Sequence, residues 1–183
     1  MKLFKLLNKC KVKFSILNKN NIDIEGISTS SNQIKSNYIF GAIKGTKFNG
    51  EDFIDSLKKF KEIVVVVKTL SKKVKEIKND FIVIICKDVD ILIAEIASIL
   101  YKSNLKEMIA VTGTNGKTSV ASYTKQIWES KNIKCASVGT LGFQHNKYFH
   151  ESFLTTPLPE ILHKKLLLFS KERCKHVIIE ASS

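Results

Sequence analysis

The chain has 183 residues, 44% of them hydrophobic, and carries 30 Lys and Arg against 17 Asp and Glu, a formal net charge of +13. That apolar fraction supports a packed core and excludes a disordered chain, and the length suits one domain or two small ones. The lysines are scattered and are accompanied by only four Tyr and one Trp, so a basic nucleic-acid surface with a base-stacking platform is not indicated. A positive field of this kind also suits an anionic substrate.

Cys10, Cys86, Cys135 and Cys174 lie far apart and form no CxxC pair. The spacing gives no support to a zinc site and suits free thiols in a reducing cytosol. Cys86 and Cys135 border apolar runs and read as core residues. The start, Met1-Lys2-Leu3-Phe4-Lys5-Leu6-Leu7-Asn8-Lys9, is basic, but its apolar run is too short for a signal peptide. No stretch approaches the roughly 18 apolar residues of a membrane span. The expectation is a cytoplasmic protein without membrane or nucleic-acid partners.

In chain order, residues 22–50 mix polar and apolar positions, with Gly26, Gly41, Gly45 and Gly50 as turn markers. Residues 38–43 read as a short strand. The β-branched run 63–67 and the run 81–85 read as buried strands. Between them, residues 68–79 are mostly polar and predict a loop or a short helix. Val89, Leu92, Ile93, Ile96, Ala97 and Leu100 follow the helical period and predict a helix over 89–101. A domain boundary is placed near residue 88, giving units 1–88 and 89–183. In the second unit, 108–111 reads as a strand and 117–130 as a helix with Val120, Tyr123 and Ile127 on one face. Residues 135–138 read as a strand. Residues 157–170 read as a helix with Thr156 as N-cap and Pro157 at its first position, and 176–180 as a strand. Alternation of this kind predicts an α/β fold with a parallel sheet. His145, His150, His163 and His176 read as solvated or capping residues.

The strongest signal is a strand, then Thr112-Gly113-Thr114-Asn115-Gly116-Lys117-Thr118-Ser119, then a helix. Glycines let backbone N–H groups turn inward and approach phosphate oxygens closely. The helix N-terminus adds unsatisfied donors and partial positive charge. Lys117 suits the β- and γ-phosphates of a nucleotide, and the Thr118 hydroxyl suits Mg²⁺. The spacing is the compact G-x-x-G-K-[ST] form, with Val111 where the longer pattern has glycine.

At these residues the sequence resembles the ATP loop of the Mur ligases and their folylpolyglutamate synthetase relatives. Gly139-Thr140-Leu141-Gly142, Thr155-Thr156-Pro157 and Glu180-Ala181-Ser182-Ser183 resemble, in order, signatures of the tripeptide-synthetase branch of the Mur ligases. Residues 26–32 and 39–50 resemble the uridine-nucleotide segment of the same branch. Two positions depart from it. Ser30-Ser31-Asn32 stands where the branch has Asp-Ser-Arg, and Asn49 stands where it commonly has Asp.

The resemblance implies a small N-terminal UDP-sugar-binding α/β domain, followed by the first part of a parallel-sheet, P-loop ATP-binding central domain. It implies an ATP-dependent amide ligase of peptidoglycan precursor synthesis. Such an enzyme adds the third stem-peptide amino acid, diaminopimelate or lysine, to UDP-N-acetylmuramoyl-L-alanyl-D-glutamate through an acyl phosphate. By residue, it implies ATP binding by Gly113, Thr114, Asn115, Gly116, Lys117, Thr118 and Ser119, with Lys117 catalytic. It implies Mg²⁺ ligation by Thr118 and Glu180. It implies UDP contacts from Ser31, Thr46, Lys47 and Phe48, and muramoyl-peptide contacts from Thr155, Thr156 and Ser183. The full-length enzyme is expected to be a monomer. The 183-residue chain, lacking a third domain, is expected to be catalytically incomplete, with Val177, Ile178 and Ile179 poorly covered. Three other readings stay open. One is a sister ligase or a folylpolyglutamate synthetase, against which the Thr-Thr-Pro and Glu-Ala-Ser-Ser segments stand. The others are a nucleotide-binding remnant without turnover and a basic nucleic-acid-binding ATPase.

Overall fold

The computed structural model describes the chain except residues 46, 47, 146, 147, 151–153 and 183. Two compact units follow one another, Met1–Leu100 and Tyr101–Ser183.

In the first unit, β2 (Gly26–Ser28), β3 (Tyr38–Gly41), β4 (Val64–Val67) and β5 (Ile82–Ile85) run parallel. The edge strand β1 (Ser15–Leu17) joins β5 antiparallel, in the order β1-β5-β4-β3-β2. All four valines of β4 are buried, because the sheet is covered on both faces and its central strand has no solvent side. One face packs Phe40, Val65, Val67 and Val83 against Ile54 and Leu57 of a 3-10 run, Gly50–Lys59, and against Val74 and Ile77 of α2 (Lys72–Ile77). The α2 segment is the stretch read as loop or short helix. Ser71 Oγ caps it by accepting from the Val74 N–H at 3.3 Å.

The other face carries α1 (Leu3–Leu7) and α3 (Val89–Leu100), and α3 contacts β2, β3 and α1. A Cβ on Gly41 would lie 2.7 Å from Ile93 Cδ1, so a glycine in β3 lets α3 approach the sheet. Leu92, Ile93, Ile96 and Ala97 are fully buried there. The division of the chain therefore falls after Leu100, where residue 88 was expected, because the apolar face of α3 belongs to the first core.

In the second unit, β6 (Glu107–Val111), α4 (Lys117–Ser130), β7 (Cys135–Gly139), β8 (Gly142–His145), β9 (Tyr148–His150), α5 (Pro159–Lys171) and β10 (His176–Glu180) follow in sequence. The sheet order is β6-β10-β7-β8-β9. The first three strands are parallel, and β8 and β9 are antiparallel additions that the sequence reading did not anticipate. The last strand is thus inserted between two earlier ones. Val177 and Ile178 are 0% and 1% exposed, which corrects the expectation that this strand is poorly covered. Ile179 is half-buried. The bare strand is β6, where Met108 and Ile109 are 56% and 43% exposed.

The helix α5 starts at Pro159 with Leu158 as N-cap, so Thr156 and Pro157 are not its cap and first residue. His145 is 1% exposed and corrects the solvated reading. Its Nδ1 lies 3.0 Å from Cys135 O and 3.5 Å from Cys174 Sγ, and its Nε2 lies 3.0 Å from Glu172 Oε2.

Candidate nucleotide-binding site

The loop after β6 is built on backbone conformations that favour glycine. Gly113 has φ +145° and Gly116 φ +79°, and no atom comes within 4 Å of a Cβ added at Gly116. Torsion rather than crowding therefore selects glycine at that position. Gly116 is the N-cap of α4 and supplies no side chain, and the first helical bond runs from Val120 N–H to Gly116 O at 2.9 Å. The N–H groups of Lys117, Thr118 and Ser119 consequently have no acceptor within the helix, which is the arrangement that receives anions. Thr114, Asn115 and Ser119 are exposed around it. Lys117 Nζ folds over the loop and donates to Gly113 O at 2.6 Å and Thr114 O at 3.4 Å.

Beside the loop, at the carboxyl end of β10, stands Glu180. Ala181 N–H donates to Val111 O at 2.8 Å and ties this end to the end of β6. The Glu180 residue is 2% exposed. Its carboxylate accepts from Thr118 Oγ1 at 2.8 Å, from Thr140 N–H at 3.0 Å and from Thr140 Oγ1 at 3.2 Å. Among the described residues no Lys, Arg or His side chain forms an ion pair with it. A buried carboxylate supplied only with neutral donors is costly unless a cation joins it.

The residues fit Mg²⁺. The separation of 2.8 Å between Thr118 Oγ1 and Glu180 Oε2 matches neighbouring oxygens of an octahedron, about 2.9 Å apart at Mg–O distances of about 2.0–2.1 Å. A hydroxyl that gives its proton to a carboxylate still offers its oxygen to a cation. No group of three or more His, Cys, Asp or Glu side chains suited to a metal occurs among the described residues. A Mg²⁺ here would share one carboxylate and one hydroxyl with nucleotide phosphates, as that ion often does.

The Thr-Thr-Pro segment reaches the same place. Thr155 Oγ1 lies 3.2 Å from Thr140 Oγ1. Thr156 Oγ1 donates to Glu180 O at 3.0 Å, accepts from Ser182 N–H at 2.7 Å and lies 2.8 Å from Ser182 Oγ. The fold thus gathers Lys117, Thr118, Thr155, Thr156 and Glu180 around one strand end. Gly139, Thr140 and Ser182 join them. The sequence reading quoted these as parts of signatures and gave them no role, although the close glycines of Gly139-Thr140-Leu141-Gly142 were the available signal. Ser183 lies outside the described residues.

In the first unit, Ser31 opens a 3-10 turn, Ser31–Gln33, just after β2, and Phe48 is exposed and meets Phe53 edge-to-face at 6.1 Å between ring centroids. Thr46 and Lys47 lie outside the described residues. Gly45 N–H donates to Phe48 O at 2.9 Å, and Lys44 and Asn49 form an antiparallel bridge. Asn49 Oδ1 accepts from Glu51 N–H at 3.3 Å and caps the 3-10 run. Beyond the carboxyl ends of β3, β4 and β5 lies a cavity of about 540 Å³, lined by Lys44, Asn49, Lys68 and Lys87 among others. Crevices at this edge of an open parallel sheet are where ligands bind.

A glycine loop, a helix N-terminus and a buried carboxylate that converge at the strand ends of a mixed sheet make the arrangement found in P-loop domains. Residues 111–183 match the family model of the Mur ligase middle domain. It is 36% identical over 168 residues to the UDP-N-acetylmuramoyl-L-alanyl-D-glutamate–2,6-diaminopimelate ligase of Rickettsia felis, covering 88% of this chain and 30% of that one. A solved structure of a ligase of the same name superposes with a TM-score of 0.69 at 22% identity, covering 87% of this chain and 32% of that chain. A MurF ligase from Thermotoga maritima, solved in complex with ADP, superposes with a TM-score of 0.52 at 18% identity over 86% of this chain and 32% of that chain. The chain spans about a third of the length of the curated relatives it matches.

Proposed function

We propose that this chain carries the nucleotide-binding centre and the UDP-sugar-binding unit of an ATP-dependent amide ligase of peptidoglycan precursor synthesis. The observation that carries the reading is the Thr118–Glu180 pair, 2.8 Å apart, at the mouth of the glycine loop. The first-turn amides of α4 take the nucleotide phosphates, and Lys117 exchanges its loop carbonyls for phosphate oxygens. Thr118 and Glu180 hold Mg²⁺, which supplies neutralisation of charge on the transferring phosphoryl group. The substrate carboxylate attacks the γ-phosphate and leaves as an acyl phosphate with ADP released. An amino-acid amine then attacks the acyl carbon and expels inorganic phosphate. The protein's part is placement and electrostatics.

The names of the curated relatives favour UDP-N-acetylmuramoyl-L-alanyl-D-glutamate as acceptor and diaminopimelate over lysine as the amino acid. Ser31, Thr46, Lys47 and Phe48 are the UDP contacts in this reading, and Thr155, Thr156 and Ser183 are the muramoyl-peptide contacts. No helix among the described residues is long and apolar enough to cross a membrane. Calorimetry with Mg-ATP tests the centre. The native chain binds, and Lys117→Ala loses binding because a point charge shared among several phosphate oxygens has no substitute nearby. Equal affinities overturn the reading.

A further inference from the structure

Besides Thr118, the Glu180 carboxylate is held by Thr140 and is closely approached by Gly139, and neither of these two has a role in the proposed reaction. Resting on the nucleotide-site reading, we infer that Gly139 and Thr140, at the end of β7, are positioning residues that aim the Glu180 carboxylate at the cation of the bound nucleotide. Gly139 lies at the end of β7, one position beyond Val138, which pairs with Ile179 of β10. A Cβ built on Gly139 would fall onto Oε1, Cδ and Cγ of Glu180. Its φ is not in the left-handed region, so glycine is required for the space the carboxylate fills and not for torsion.

Thr140 fills the complementary part. Its N–H donates to Oε1 at 3.0 Å and its hydroxyl to Oε2 at 3.2 Å, so one residue grips both oxygens. A carboxylate only accepts, so the Thr140 hydroxyl proton is committed to Glu180. It follows that Thr155 is the donor in its 3.2 Å contact with Thr140 Oγ1. Donation thus runs from Thr155 to Thr140 to Glu180, Thr118 donates to Glu180 from the other side, and the row converges on the carboxylate that suits the cation. Partners of this kind fix the orientation of metal-ligating carboxylates, and losing one costs about 10- to 100-fold in metal affinity.

Thr140→Val keeps shape and removes the hydroxyl at an exposed residue, where folding is not at stake. Thr140→Ser restores the donor. The 183-residue chain is titrated with ATP in Mg²⁺ and with ATP in EDTA, and Mn²⁺ binding in the presence of ATP is followed by electron paramagnetic resonance. Thr140→Val weakens ATP binding about tenfold or more in Mg²⁺ and leaves it unchanged in EDTA. Its Mn²⁺ affinity falls in parallel, and Thr140→Ser behaves as the native chain. Gly139→Ala gives the same metal-specific loss if it folds. Equal weakening in Mg²⁺ and EDTA, or no change in either, overturns the positioning role while the nucleotide site stands. Failure of the native chain to bind ATP in Mg²⁺ overturns the nucleotide site, and the positioning role with it.

Discussion

Cys174, His145 and Glu172 form a thiol–imidazole–carboxylate row that resembles a nucleophile with its base, and its surroundings decide against that use. Cys174 sits in the core with Phe169, Leu166 and Val177. Burial, aided by the nearby Cys135, pushes its thiol from an ordinary 9.0 up to about 12. A thiol held protonated is not a nucleophile. Burial likewise pushes Cys135 up to about 11. The linkage has a definite sign. A group whose pKa is raised on folding binds its proton more tightly in the folded state. Its contribution to stability is therefore complete below the unfolded value and is lost as pH rises through the folded one. For Cys174 that window runs from 9.0 to about 12. Urea unfolding should show stability declining across this range, with a shallower decline in Cys174→Ala. At pH 8 a thiol-reactive dye should modify Cys174 only as fast as the chain unfolds, and rapid labelling of the folded protein would contradict the burial argument.

The helix α4 has a second apolar side that its own sheet does not use. Ala121 is buried, Trp128 meets His176 of β10, and Lys125 O accepts from Cys135 Sγ of β7. These contacts fix which way the helix faces. Val120, Tyr123 and Ile127 then fall on the flank turned away from β7, and they are 49%, 64% and 62% exposed. An edge strand with bare apolar residues beside an apolar helix flank promotes association. The double change Tyr123→Glu and Ile127→Lys adds an i,i+4 pair in the favourable order. It should reduce self-association in sedimentation velocity and leave the melting temperature nearly unchanged. Unaltered association would place the sticky surface elsewhere.

The stripe itself was legible, since Val120, Tyr123 and Ile127 repeat at helical spacing, but periodicity does not reveal whether a partner covers it. The same gap explains α3, whose bounds were clear and whose allegiance was not. The start of α5 was misjudged for a local reason. In Pro157-Leu158-Pro159, the second proline forbids helical torsions at Leu158, whose ψ is 144°, so the helix begins two residues later than expected. The glycine loop was legible because its conformations demand particular residues. The grip of Thr140 on Glu180 was not, because the two lie 40 positions apart and only strand pairing joins them.

The two units have separate cores, and the place of their division has an energetic test. Leu92, Ile93 and Ile96 each contribute about 1.5–3 kcal/mol on burial. Their sum is comparable with the ~5–15 kcal/mol that holds a whole domain together. A polypeptide of residues 1–100 should therefore fold cooperatively, while 1–88 should not. Resonances of Ser31 and Phe48 in the 1–100 fragment should shift on titration with UDP-N-acetylmuramoyl-dipeptide, and their constancy would count against the UDP-sugar role of this unit. A fully folded 1–88 fragment would show that α3 is dispensable to it. The second unit differs in a way that concerns its synthesis. Its strand β10 is made after both of its neighbours, β6 and β7, which precede it by some 70 and 40 residues. During translation those two strands wait on either side of an unfilled slot, with backbone groups and apolar side chains unprotected until residues 176–180 clear the ribosome. The phosphate loop can take local shape early, but the carboxylate that completes it arrives on β10. The candidate nucleotide site is therefore assembled only when β10 pairs, and holdase chaperones have their opportunity on this unit until then.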